Sequence, residues 1–103
     1  MRRGEVRVVH SRVSGRDQYA LIIGNDALNE SSATGWVMAA PIDTSGATPD
    51  LLVTMRLTHP VEGMIRLDNV TSVRKDRIGD LVGWVDPDRM DAVSVALRAA
   101  LDL

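Results

Sequence analysis

The sequence predicts a mainly β fold, a small and strongly curved antiparallel sheet or barrel closed by one C-terminal helix. Three observations point there. Short apolar runs bounded by glycine, proline or asparagine recur from Glu5 to Val85, the spacing of short strands rather than of long helices. Asp86-Pro87 followed by Met90, Val93, Leu97 and Leu101 marks a single amphipathic helix. Strands followed by one terminal helix bury their apolar surfaces most simply as a curled sheet beneath that helix. At 103 residues the chain is sized for one domain, residues 1–103, with one modest core.

The elements follow in order. Glu5-Val6-Arg7-Val8-Val9-His10 is valine-rich and imperfectly alternating, a half-buried first strand. Tyr19-Ala20-Leu21-Ile22-Ile23 is an apolar run stopped by Gly24-Asn25-Asp26, as a central strand is. A polar stretch over 26–33 has room for one helical turn before Gly35-Trp36-Val37-Met38-Ala39-Ala40 resumes an extended run that Pro41 closes. Asp43 to Pro49 is rich in Thr, Ser, Gly and Pro and reads as an exposed loop. Leu51, Val53, Met55 and Leu57 alternate with Leu52, Thr54, Arg56 and Thr58, predicting a strand with an aliphatic inner face. Met64 to Leu67 with Val70, and Leu81 to Val85, supply the rest, for about five to seven strands in all. In the helix, Asp86 is the N-cap and Pro87 the first helical residue, Met90, Val93, Leu97 and Leu101 face inward, and Asp91, Ser94 and Arg98 face water.

Composition narrows the function. Hydrophobic residues are 45% of the chain and charged residues 25%, as in an ordinary globular protein. No apolar run approaches the roughly 20 residues of a bilayer span, so no membrane is expected. The start carries Arg2 and Arg3 without the apolar stretch of a secretion signal, which predicts a cytoplasmic protein. Without cysteine there is no thiolate ligand or thiol nucleophile, and His10 and His59 are the strong nitrogen donors, so no metal is expected. A net charge of −2 argues against coating duplex DNA. Arg2, Arg3, Arg7, Arg12 and Arg16 face only Glu5 within residues 1–16, however, which makes that end a candidate anion-facing surface.

Gly4-Glu5-Val6, the run from Tyr19 to Asn29, and Ala39-Ala40-Pro41-Ile42 are followed by Met64-Ile65-Arg66-Leu67-Asp68-Asn69-Val70-Thr71-Ser72-Val73 with Lys75, Arg77 and Ile78, then by a helix ending Ala96 to Leu103. In this order and spacing the motifs resemble the MazF/PemK family of toxins over nearly the whole chain. The resemblance implies an SH3-like antiparallel β-barrel of the CcdB/PemK/MazF type and a homodimer. It implies metal-independent, sequence-specific cleavage of single-stranded mRNA without a cofactor. It further implies a MazE-like antitoxin whose acidic tail covers the RNA groove at the dimer interface.

Cutting RNA without a metal requires a group to take the 2′-hydroxyl proton, one to protonate the leaving oxygen, and donors for the charged phosphorane. Where the family carries Arg-Pro-Ala-Leu, this chain reads Gln18-Tyr19-Ala20-Leu21, and where it carries Ala-Pro-Ile-Thr, this chain reads Ala40-Pro41-Ile42-Asp43. The implied catalytic positions thus hold a neutral amide and a carboxylate, and a carboxylate repels phosphate. Arg16 is placed to return the missing cation, Thr44 to return the missing hydroxyl by a one-residue slip, and Asp43 to act as base. Arg12, Tyr19, Asn69, Arg74 and Lys75 are the expected RNA contacts, with Tyr19 a stacking residue. The loop between the first two strands is shorter than in most relatives. Trp36 is expected in the core, Trp84 under the helix, His10 on the surface, and Arg56 and Arg66 on solvated faces. The competing expectation is a catalytically weakened RNA- or protein-binding homodimer that still takes an antitoxin. A gyrase poison of the CcdB kind is disfavoured, because the sequence ends Leu101-Asp102-Leu103 where those toxins carry a tryptophan.

Overall fold

Period-two apolar runs and turn residues organise the described residues into a sheet of seven strands. The computed structural model describes residues 1–11, 17–49 and 53–101. The strands are β1 (Glu5–Val9), β2 (Gln18–Ile22), β3 (Trp36–Asp43), β4 (Thr54–Leu57), β5 (Gly63–Arg66), β6 (Thr71–Arg74) and β7 (Ile78–Trp84). Helix α1 (Asp26–Glu30) lies between β2 and β3, and α2 (Pro87–Leu101) follows β7. Single 3-10 turns at Leu67–Asn69 and Lys75–Arg77 flank β6. Arg12, Arg16, Leu51 and Leu52 lie outside the described residues.

The strand order is β4-β5-β3-β2-β1-β7, with β6 also paired to β3, and every described pairing is antiparallel. The long β3 serves three partners. Its first half, Trp36–Ala39, pairs with β6, its last residues, Ile42 and Asp43, pair with β5, and its other edge pairs with β2. Pro41 does not end the strand as its type suggested. It falls in the gap between the β6 and β5 ladders, where that edge asks no hydrogen bond of it. The sheet curls without a closing ladder: β4 and β7 are the ends of the path, yet a Cβ on Gly83 of β7 would lie 2.6 Å from Pro60 Cβ in the β4–β5 turn. The fold is mainly β with a C-terminal helix, as the sequence predicts.

Alternation along the strands builds two apolar clusters. Val6, Leu21, Ala40, Ile42, Leu57, Ile65 and Leu67 are buried together with Val85 and with Val93 of α2, and Met90, Ala96 and Leu97 pack against them. Val9, Ala20, Ile22, Val37 and Ala39, residues of the opposite parity on β2 and β3, form the second cluster with Val73 and Ile78 against it. Asp86 Oδ1 accepts from Arg89 N at 2.9 Å, the N-cap that starts α2. Four outward or inward assignments differ. Ser94 is half-buried because Arg3 Nη2 donates to its Oγ at 2.8 Å. Thr54 is buried rather than outward, its Oγ1 donating to the Pro49 carbonyl at 3.2 Å. Trp36 and Trp84 are 51% and 50% exposed, not core, because the β3 parity that buries Val37 and Ala39 turns Trp36 outward and β7 carries Trp84 on its open side.

The described N-terminal arginines are bound internally rather than offered to an anion. Arg2 lies 3.6 Å from Glu30, and Arg3 holds Ser94 and the Ile23 carbonyl. Arg7 Nε donates to Glu5 Oε1 at 2.7 Å and its Nη1 to the Gly79 carbonyl at 3.0 Å, locking β1 to β7 where their register is irregular. Burial pushes the Glu5 carboxyl up, but the Arg7 hydrogen bond and a backbone hydrogen bond at Arg2 outweigh it and hold it below its usual value. Arg7→Met strands that buried carboxylate and costs about 2 kcal/mol near neutrality. A lowered acid contributes stability above its ordinary pKa and loses it as the pH falls. In the variant the Arg7 contribution is gone, the backbone hydrogen bond at Arg2 is left to oppose burial, and Glu5 protonates at a higher pH than in the wild type. Chemical denaturation at several pH values checks this: the gap between variant and wild type narrows toward acid.

Candidate active site

The start of β2, the end of β3 and the β5–β6 connection converge on one cleft. Each is placed by burial of its neighbours. Leu21 and Ile22 anchor β2 and leave Gln18 and Tyr19 at its open end, Ile42 anchors β3 and leaves Asp43 at its tip, and buried Leu67 fixes the turn that carries Arg66 and Asn69 to either side. Tyr19 stands directly opposite Ile42 in the β2–β3 register, and Asp43 opposite Met64. The cleft encloses about 430 Å³ and is lined by Asp17, Gln18, Tyr19, Pro41, Ile42, Asp43, Thr44, Ser45, Arg66 and Asn69. Gln18, Tyr19, Asp43, Thr44 and Asn69, five residues singled out from sequence, therefore share one space.

Asp43 organises the loop that leaves β3. Its Oδ1 accepts from Ser45 N at 2.9 Å and from Ser45 Oγ at 2.6 Å, while Thr48 Oγ1 donates to its Oδ2. These donors, Ser45 Oγ first, then Thr48 and the Ser45 backbone N–H, hold its carboxyl down at about 2. Such a group is ionised throughout the physiological range, is a weak base, and has no proton to give. Its contribution to stability is present above the ordinary Asp value of 3.8 and is lost only as the pH falls from there toward about 2. Asp43→Asn consequently removes the part of the acid-side loss of stability that falls between about pH 4 and about pH 2, and chemical denaturation at several pH values checks it: a fall as steep as in the wild type contradicts the assignment.

Arg66 is the one cation among the cleft's described lining residues. Its Nε donates to Asp68 Oδ1 at 3.1 Å and its Nη2 to Asp68 Oδ2 at 2.7 Å, a forked pair across the Leu67 turn. Arg66 was missed as a site residue, and Asp17 with it. The signal available was the Arg-Leu-Asp spacing, in which a buried residue turns its two neighbours to one side.

The other expected contacts among the described residues lie elsewhere. Lys75 Nζ donates to the Ser31 carbonyl at 2.7 Å and the Leu28 carbonyl at 3.3 Å, closing the end of α1. Arg74 stands over the Trp36 ring at 5.7 Å and 3.2 Å from Asp76. His10 Nδ1 is 3.1 Å from Asp17 Oδ1, outside the cleft lining, and its ring is exposed. Among the described residues no three His, Asp or Glu side chains are grouped to hold a metal ion. A second hollow of about 190 Å³ lies between α1 and β3, lined by Leu28, Asn29, Thr34, Trp36, Met38 and others. Leu28, Trp36 and Met38 are exposed there, beside buried Asn29, whose Nδ2 donates to Gly24 O at 2.9 Å. No helix of the described residues is long and apolar enough to cross a membrane.

Residues 2–101 fit the family described as PemK-like, MazF-like toxin of type II toxin-antitoxin system. The chain is 35% identical over 83 residues, 81% of its own length and 77% of the relative's, to endoribonuclease MazF4 of Mycobacterium tuberculosis. The same figures relate it to endoribonuclease MazF1 of Mycobacterium bovis. Among solved structures, an endoribonuclease in complex with its cognate antitoxin from a mycobacterial species superposes with a TM-score of 0.86 at 28% identity, over 100% of this chain and 96% of that one. A MazE–MazF complex from Deinococcus radiodurans gives 0.81 at 19% identity, over 100% and 96% of the two chains, a likeness of fold.

Proposed function

Because the chain belongs to the PemK-like, MazF-like toxin family of type II toxin–antitoxin systems, we propose that it is an endoribonuclease toxin that cuts single-stranded RNA without a metal ion. The observation that carries this reading is the convergence of Gln18, Tyr19, Asp43, Thr44 and Asn69 on one cleft between β2 and β3. The 2′-hydroxyl gives up its proton to solvent as its oxygen attacks the adjacent phosphorus, the bond to the 5′ oxygen breaks, and that oxygen leaves with a proton taken from solvent. The products are a 2′,3′-cyclic phosphate and a 5′-hydroxyl. Gln18 donates its amide N–H to a phosphate oxygen, Thr44 donates its hydroxyl to the phosphorane, Tyr19 stacks on a base, and Asn69 reads a base edge. Asp43 shapes the loop that presents Thr44. Arg12 and Arg16, which precede Asp17 and Gln18 in the sequence, lie outside the described residues.

The chain acts as a homodimer in the cytoplasm and is silenced by an antitoxin. An antitoxin partner is supported by the solved mycobacterial relative that carries its cognate antitoxin, and a protein contact of some kind by the exposed Leu28, Trp36 and Met38.

The test is incubation of the purified protein with a long single-stranded RNA in chelator. Discrete cuts, abolished when the same RNA carries 2′-O-methyl groups, support the reading. One observation favours the competing reading of a weakened binder: two carboxylates, Asp17 and Asp43, face the entering phosphate and position 18 is neutral. Intact RNA at high protein concentration with retained antitoxin binding selects it.

A further inference from the structure

We infer that Arg66 is the side chain that grips the phosphate in this cleft, taking over a charge that position 18 does not supply; the inference rests on the nuclease reading for its substrate. An RNA strand entering the cleft meets the carboxylates of Asp17 and Asp43, and among the described lining residues only Arg66 offsets them. Its geometry suits the task. Asp68 occupies the Nε–Nη2 edge of the guanidinium, which fixes the plane of the group. The opposite edge, one N–H on Nη1 and one on Nη2, has no partner among the described residues and is shaped to donate two parallel hydrogen bonds to a phosphate. The side chain is 39% exposed, so the group is held in place yet open to a ligand.

Asp68 is thus a positioning residue. Through the Leu67 turn it couples the cation to Asn69, so that a phosphate on Arg66 and a base edge at Asn69 are addressed by one rigid unit. The same arrangement explains how the cleft tolerates Gln18. The cation has moved from the β2 side of the cleft to the β5 side.

The test measures fluorescence anisotropy of a 2′-O-methyl single-stranded RNA, which binds but does not react, against wild type, Arg66→Gln, Arg66→Lys, Asp68→Asn and Arg2→Gln over a range of salt. Arg66→Gln weakens binding about tenfold and flattens the slope of log K against log salt by about 0.7. Arg66→Lys retains the slope and loses part of the affinity, because an ammonium lacks the fork. Asp68→Asn keeps the slope with intermediate affinity. Arg2→Gln, an equal change of charge against Asp26 and Glu30 and away from the cleft, changes neither. Circular dichroism confirms that each variant is folded, and Arg66→Lys carries the test if Arg66→Gln is not. Equal affinity and slope in Arg66→Gln and wild type overturns the inference, as does a wild type that binds no RNA. A wild type that binds through Arg66 but never cuts RNA defeats the nuclease reading and leaves the phosphate grip standing.

Discussion

Gln18→Arg raises the rate of RNA cleavage about a hundredfold. A preorganised donor aimed at developing charge contributes on the order of 10²–10³ in rate. Position 18 sits at the mouth of β2, in the cleft that also holds Asp43 and Thr44. A neutral amide there stabilises the phosphorane by one ordinary hydrogen bond, whereas a guanidinium brings a full charge and a fork of donors into a partly enclosed site. With Arg66 on the facing side, the variant holds the phosphate between two cations. The gain belongs in kcat, because the new charge acts on the phosphorane more than on the bound strand. Single-turnover cleavage of one RNA by wild type, Gln18→Arg and Gln18→Lys checks it. The lysine gives a smaller gain, and an unchanged rate in Gln18→Arg means that position 18 does not touch the reacting phosphate.

Leu21→Ala destabilises the protein by about 4 kcal/mol and lowers Tm by about 20 °C. Leu21 is fully buried at the centre of the larger cluster, paired with Val6 on one side and Ala40 on the other. Its neighbours Ala40 and Val6 are too small to close over the void, so the loss of transfer energy and the cavity term add. Small domains have on the order of 5–15 kcal/mol of stability in total, and the variant loses a large fraction of it. Thermal unfolding followed by circular dichroism gives the number. A shift of only a few degrees means that β2 is not the pillar of the core, and the placement of Gln18 and Tyr19 at its end loses its support.

The sequence revealed the fold wherever one element decides its own shape. The alternating runs, the Asp86-Pro87 cap and the stripe of Met90, Val93 and Leu97 are local signals, and the structure follows them. It was silent where a partner decides. Pro41 is a strand breaker by type, yet β3 runs through it because the gap between two neighbouring ladders happens to fall there. Thr54 is buried because the Pro49 carbonyl, five residues earlier, receives its hydroxyl. Trp36 looks like core by composition, and only the parity fixed by its sheet neighbours turns it outward.

The same division runs through the site. Gln18, Tyr19, Asp43 and Asn69 came from motif order, which records where a site stands in the chain. Arg66 was missed because its value is geometric: it depends on a pairing that places β5 beside β3 and on an aspartate two residues away that orients it. Arg74 and Lys75 fall outside the cleft lining for the converse reason. Their charges suit phosphate, but Trp36, Asp76 and the carbonyls closing α1 already engage them.

The most direct test of the central claim is where RNA touches the protein. Backbone amide shifts in a ¹⁵N-labelled sample titrated with 2′-O-methyl single-stranded RNA are expected to move at Gln18, Tyr19, Asp43, Thr44, Arg66 and Asn69, with those of Leu28, Trp36 and Met38 unchanged. Shifts confined to the Leu28–Trp36–Met38 face, with the cleft amides still, contradict the account.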